Sequence, residues 1–255
     1  MRINETPKWL SLFITAFGPK GLVVLAWWLG ALHADRIRAR QHSYPFLEVV
    51  GFQRPSLLPV LWKLIGSDQG EYINGSSFAE LRRINGTVNG PVVIDEPSRA
   101  DRPFDWDALK PLYNGEGIFR AKPGNEPFKF RGALMILGNP PMSEAMCSRF
   151  VIVELDEPQR SEAANQTQAL RDLLDLLSVD GINFYDTVKA AGDRLDGLLQ
   201  HTTAYFVQPH NNKRAALNHA HLHALLGVLD DLFLLPTEAR EDAHIEVAAM
   251  ALAIE

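Results

Sequence analysis

Gly90-Pro91-Val92-Val93-Ile94-Asp95-Glu96-Pro97 is the stretch on which the fold turns. From Pro91 to Ile94 it is apolar and mostly β-branched, which predicts a short buried strand. Two adjacent acids, Asp95 and Glu96, end that strand. A core strand that surfaces with two carboxylates puts charge at the carboxyl end of a sheet, where open α/β folds bind ligands. In nucleotide-hydrolysing folds the first acid of such a pair holds phosphate-bound magnesium and the second polarises the attacking water. The same pair also fits a strand that simply ends in solvent, so the flanking segments carry the decision.

Upstream, Phe46-Leu47-Glu48-Val49-Val50 reads as a strand closed by Gly51, and residues 57–65 (LLPVLWKLI) read as a helix ended by Gly66. Strand, glycine, loop, helix is the layout of a phosphate-binding loop. Such a loop needs G-x-x-x-x-G-K-[ST]. Its glycines let backbone N–H groups wrap phosphate, its Lys charges the outer phosphates and its hydroxyl ligates magnesium. Here Phe52-Gln53-Arg54-Pro55-Ser56 has no second glycine and no Lys-Ser/Thr pair, and Pro55 removes a donor N–H. Gly51, Arg54 and Ser56 are therefore the candidate nucleotide-binding residues. The planar fork of Arg54 would have to approach from another direction than a lysine, and Lys63 lies about two helical turns beyond Ser56.

Downstream, residues 105–113 (DWDALKPLY) resemble a short helix opened by acids. Asn114-Gly115-Glu116-Gly117 signals a turn, so residues 118–121 and 128–130 are expected to form a hairpin. Arg120, Lys122, Lys129 and Arg131 stand on it, with Phe119, Phe128 and Phe130 interleaved. Basic and aromatic residues so arranged suit an element that grips single-stranded nucleic acid. They equally suit a ribbon with one solvated face and one buried aromatic face. Residues 133–137 (ALMIL) form a third apolar strand, followed by Gly138-Asn139-Pro140-Pro141. At a strand tip beside the Asp-Glu strand, Asn139 can hold the attacking water or a terminal phosphate oxygen, or start the turn before proline. A short helix at 142–147 then leads through Arg149 into a fourth strand, 151–155, where this Arg is placed to reach a neighbour's nucleotide in a ring.

Composition bounds the rest. The chain has 255 residues, 46% hydrophobic and 22% charged, as in ordinary globular proteins. A net charge of −6 leaves no global basic field, so contact with nucleic acid requires a local patch. The lone Cys147 excludes an internal disulfide, a cysteine zinc cage and a redox pair, which suits a reducing cytoplasm. Two apolar runs, 9–18 and 21–32, are separated by Pro19-Lys20 and read as two core helices rather than a membrane segment. The second continues toward Arg36, Arg38 and Arg40, a cationic turn that complements the helix dipole. Beyond Asp156, residues 161–177, 184–199, 215–235 and 238–254 show helical periodicity. Within the third, His219 and His223 lie one turn apart, but no acid or Cys nearby completes a metal set.

The order strand-glycine-loop-helix, VVIDE, hairpin, ALMILGNPP and SEAMCSRFVIVEL resembles the core of AAA+ and superfamily 3 helicase-type ATPases. More closely, the chain resembles the helicase-like ATPase module of bacteriophage and mobile-element primase-helicase proteins. Carrying that match are WWLGALHADRIRARQHSYPFLEVVG, LLPVLWKLIG, FDWDALKPLYNG, FRGALMILGNPP, SEAMCSRFVIVEL and NHAHLHALLGVLDDL. The resemblance implies that Asp95 is the magnesium-associated acid, Glu96 the catalytic acid, Asn139 the sensor and Arg149 an arginine finger. The phosphate loop departs from the family, with about three residues fewer between Gly51 and Leu57 and no lysine.

The expected architecture is thus a three-layer α/β P-loop (AAA+/ASCE-like) core at 46–156, an N-terminal helical segment at 1–45 and an all-α region at 157–255. No primase-like segment precedes the core, so an isolated or truncated module is expected. The implied function is a nucleic-acid-associated ATPase of phage or mobile-element DNA replication, with magnesium and ATP as cofactors, single-stranded or duplex DNA as partner and a homo-oligomeric ring as assembly. The alternative is a catalytically inactive relative that serves as a DNA-binding or assembly subunit.

Overall fold

A computed structural model describes residues 5–67, 72–74, 89–95, 105–117, 129–137, 143–157, 159, 161–179, 184–197, 199 and 212–253. Five parallel strands form one sheet: β1 (Phe46–Gly51), β2 (Tyr72–Asn74), β3 (Pro91–Asp95), β4 (Ala133–Leu137) and β5 (Phe150–Leu155). Their order across the sheet is β2-β3-β4-β1-β5. Val92 stands opposite Leu134, Leu47 opposite Met135, and Val49 opposite Val153. The apolar runs of the sequence became strands because a parallel sheet covered on both faces rewards continuous hydrophobic runs.

Side chains alternate between the two faces. Leu47, Val49, Val93, Met135 and Val151 enter the larger core, while Phe46, Ile94, Leu134, Ile136 and Phe150 enter a smaller one. Over the larger core lie α1 (Lys8–Ala31), α3 (Arg54–Leu64), α5 (Ala163–Val179) and α7 (Lys213–Phe233), with α8 (Thr237–Leu252) packed on α1 and α7. A 3₁₀ helix, Trp106–Asn114, closes the smaller core with Trp106, Leu109, Leu112 and Tyr113. The helix expected at 105–113 thus takes the tighter 3₁₀ form over 106–114, and Gly115 ends it at φ 82°. Further helices among the described residues include α2 (Ala34–Gln41), α4 (Glu144–Cys147) and α6 (Phe184–Ala190).

The break between the two N-terminal apolar runs is real. Gly18 has φ 63° and ψ −164° inside α1, a conformation open to glycine, and Pro19 starts the second half. By length and composition α1 would suffice to cross a membrane, yet residues 21–31 are all buried in this protein's own core. Among them, Trp27 donates from Nε1 to the Pro45 carbonyl at 2.8 Å. Tyr44 returns the tie through its hydroxyl to the Trp27 carbonyl at 2.7 Å, so β1 is hung from α1 at its start.

The basic cluster of α2 does more than complement a helix dipole, which corrects the sequence expectation. Arg36 and Arg40 both reach Asp196 at 2.8 Å, and Arg36 also reaches Asp193 at 2.7 Å. Arg38 is buried. Its Nε donates to the Tyr113 carbonyl at 3.1 Å and its Nη1 to the Phe130 carbonyl at 3.3 Å.

Candidate functional site

Register places the carboxyl edge of the sheet. Asp95 pairs with Leu137, and Leu137 with Val49, so the main chain of Asp95 ends β3 level with the last turn of β1. Two strand spacings, roughly 10 Å, separate β3 from β1. The connection leaving β1 runs toward β2 at one edge, and that leaving β4 crosses β1 to reach β5 at the other. Open parallel sheets hold ligands in the crevice outside the carboxyl ends of their strands where the strand order reverses, here at β4 and β1. Asp95 lies one strand from that crevice, and Gly51 lies on its rim.

The junction between β1 and α3 is short. β1 ends at Gly51 and α3 begins at Arg54, so Phe52 and Gln53 alone form the turn. Gln53 already accepts main-chain bonds from Ser56 and Leu57, both at 3.1 Å. Ser56 and Arg54 are therefore in the first helical turn, with Pro55 between them where its missing N–H costs little. Gly51 has φ 98°, and a Cβ there would run into the carbonyl oxygen of Leu155 on β5. The glycine is thus required by the packing of two strands, not by a phosphate. Gln53 turns its side chain to Gln166 at 2.8 Å, and Lys63 reaches Ser178 at 3.3 Å, both on α5. A two-residue turn cannot wrap a triphosphate, so the residues from Gly51 to Ser56 do not fit magnesium–ATP held in a phosphate loop.

Arg149 lies at the opposite, amino-terminal edge, just before β5. It is half-buried, donates from Nη1 to the Ala145 carbonyl, and sits over the Tyr113 ring at 5.7 Å. Burial first, and Arg214 second, push its pKa below the usual arginine value. The Tyr113 hydroxyl donates to Asn218 Oδ1 at 2.6 Å, and Asn218 donates in turn to the Ser148 carbonyl at 3.1 Å. One tyrosine therefore joins the 3₁₀ helix, α7 and the segment carrying Arg149.

Of the basic insert, the described part is its root. Glu116 and Lys129 form an antiparallel bridge, and Phe130 N–H donates to the Gly115 carbonyl at 2.8 Å. Lys129 is exposed, and Arg131 reaches Asp35 at 3.0 Å. The two ends of the insert are thus paired as a hairpin requires. Arg120 and Lys122, like Glu96 and Asn139, lie outside the described residues.

Sequence reasoning missed Arg38, Tyr113 and Asn218 as organising residues. Asn218 and the histidines were visible as a polar run in an apolar helix, which is the signal that a buried polar network leaves. His219 donates from Nδ1 to the Ala215 carbonyl at 2.7 Å, and His223 meets His244 with Nδ1 atoms 2.6 Å apart. Among the described residues no group of three His, Cys, Asp or Glu is placed to hold a metal ion.

No protein-family model matches this chain, and no curated protein matches it. Among solved structures it is similar to the SCCmec type IV Cch active helicase, with a TM-score of 0.67 at 11% identity. That match covers 100% of this chain and 52% of the helicase, so the chain spans about half the helicase's length. A candidate ATPase from Cytophaga hutchinsonii aligns at 10% identity over 93% of this chain and 86% of its own, with a TM-score of 0.43. The first likeness shows that this chain, over its whole length, shares the fold of that helicase, a parallel α/β sheet flanked by helices.

Proposed function

We propose that this chain is a helicase-like, nucleic-acid-associated module of phage or mobile-element DNA replication, working on single-stranded or duplex DNA within a homo-oligomeric ring. The observation that carries this reading is the sheet order β2-β3-β4-β1-β5 with Asp95 ending the strand next to β4. Likeness in fold to an active helicase supports it. The replication context rests on the sequence resemblance described above. In this reading Asp95, Glu96 and Asn139 line the nucleotide side, Arg149 serves a neighbouring copy, and Lys129 with Arg131, Arg120 and Lys122 meets phosphate backbone.

A second reading is favoured by one specific observation, the two-residue turn between Gly51 and Arg54. Without a wrapping loop and its lysine, transition-state electrostatics lose what is usually the largest single catalytic contribution. The module would then hold DNA or partners without hydrolysing ATP. Calorimetry with magnesium–ATP, on the wild type and on Glu96→Gln, decides between the two. Binding, with turnover stimulated by single-stranded DNA, supports the motor. No heat at millimolar ATP retires it and leaves the binding subunit.

A further inference from the structure

We propose that Arg149 and Arg214 together form an oxyanion site for a phosphate group at the amino-terminal edge of the sheet. Arg214 stands in the first turn of α7 and donates from Nη1 to the Ser148 hydroxyl at 3.2 Å. Arg149 follows Ser148 directly in the chain, and its own guanidinium lies between the Ala145 carbonyl and the Tyr113 ring. Like charge acts between them, since Arg214 helps to push the Arg149 pKa down.

Four other arginines among the described residues are paired with acids. Arg36, Arg40, Arg131 and Arg240 each sit on a carboxylate at 3.0 Å or less. Among the described residues neither Arg149 nor Arg214 has a carboxylate within ion-pair distance; their partners are a hydroxyl, a carbonyl and a ring face. The nearby acid Asp107 is occupied by Ser143 at 2.6 Å and Lys110 at 2.9 Å. Arg149 Nε is buried without a hydrogen-bond partner. Two arginines without an ion pair, beside the positive end of a 21-residue helix, are matched by a dianion better than by a monoanion. Guanidinium forks fit phosphate oxygens two at a time.

Space for the rest of a ligand adjoins Ser148, which lines a cavity of about 560 Å³ walled by Phe150, Ile152 and Met250 and edged by Asn212 and the acid Glu144. The site extends the Arg149 part of the function proposed above, and it does not need the carboxyl edge to bind nucleotide. Its phosphate belongs either to a nucleotide or to a nucleic-acid backbone, two sources of one chemistry.

The test follows the Arg149 Nε–H resonance in the full chain labelled at arginine, assigned with Arg149→Lys. Sodium pyrophosphate, ATP and a twenty-residue oligothymidylate are titrated in turn. The pair predicts a shift with pyrophosphate at millimolar concentration or below. Arg214→Gln should weaken that response about tenfold, the loss of one charge-assisted contact, with partial rescue by Arg214→Lys. A response to ATP that grows with protein concentration marks a nucleotide presented by a second copy, and a response to oligothymidylate marks backbone phosphate. A signal unmoved by all three probes overturns the site, as does an undiminished response in Arg214→Gln. Heat from magnesium–ATP that Asp95→Asn removes reports the carboxyl edge instead, so either site can fail alone.

Discussion

Gly51 and Leu155 lie directly opposite each other at the ends of β1 and β5, so close that the Leu155 carbonyl occupies the space of a Gly51 side chain. The contact explains why a glycine ends β1 just before the two-residue turn. Gly51→Ala combines that clash with a φ of 98°. It should cost about 2 kcal/mol or more in a urea titration. A stability within 0.5 kcal/mol of wild type, roughly the scatter of surface substitutions, would refute the structural role.

Arg38 should behave as a core residue despite its charge. Burial lowers its pKa to about 10, and its guanidinium lies 5.2 Å from the Phe130 ring and 5.9 Å from that of Tyr44. Arg38→Leu orphans the Tyr113 and Phe130 carbonyls and should lose about 2–4 kcal/mol of stability. Arg38→Lys cannot bridge both carbonyls with the same fork and should recover only part of the loss. Thermal unfolding of the three proteins reads this directly.

Lys129 and Arg131 should differ in their effect on DNA. Arg131 is engaged by Asp35, whereas Lys129 is exposed at the root of the insert. Lys129→Ala together with Arg120→Ala should weaken single-strand affinity about tenfold at low salt and flatten its salt dependence. Arg131→Ala should do less. Unchanged affinity in the double variant would end the insert's nucleic-acid role.

Stability should fall as the medium is acidified. Burial pushes His221 to about 4, and burial with the neighbouring His244 and His219 pushes His223 to about 4. Burial lowers the His244 pKa too, Arg240 lowers it further, and Asp230 opposes both. These groups are neutral in the fold, but the unfolded chain takes up protons below its ordinary histidine value of about 6.5. Their contribution is therefore complete above pH 6.5 and lost toward pH 4, up to about 3 kcal/mol for His221. Urea midpoints across that range should decline, and His221→Met should flatten the curve.

Four of the five strands were legible because each is a mostly apolar run, and a buried parallel strand needs little else. β2 was not legible. Tyr72-Ile73-Asn74 is three residues within a Gly-, Asn- and Ser-rich segment, and it becomes a strand by pairing with Val93, Ile94 and Asp95. Nor could the text distinguish Arg38 from Arg36 and Arg40. All three share one helix and one chemistry, and only the position of Tyr113 and Phe130 takes one of them inside.

The sequence by itself determined the fold class, the acid-tipped strand Asp95 ends, and the absence of phosphate-loop chemistry, since each is local: an apolar run, a residue type, a missing lysine. Tertiary structure alone decided that Gly51 is followed by a two-residue turn, that Tyr113 and Asn218 tie α7 to the Arg149 segment, and that Arg214 reaches Ser148 next to Arg149. Those relations join residues up to 105 positions apart, and no periodicity along the chain encodes a distance between elements that meet only when the sheet is covered.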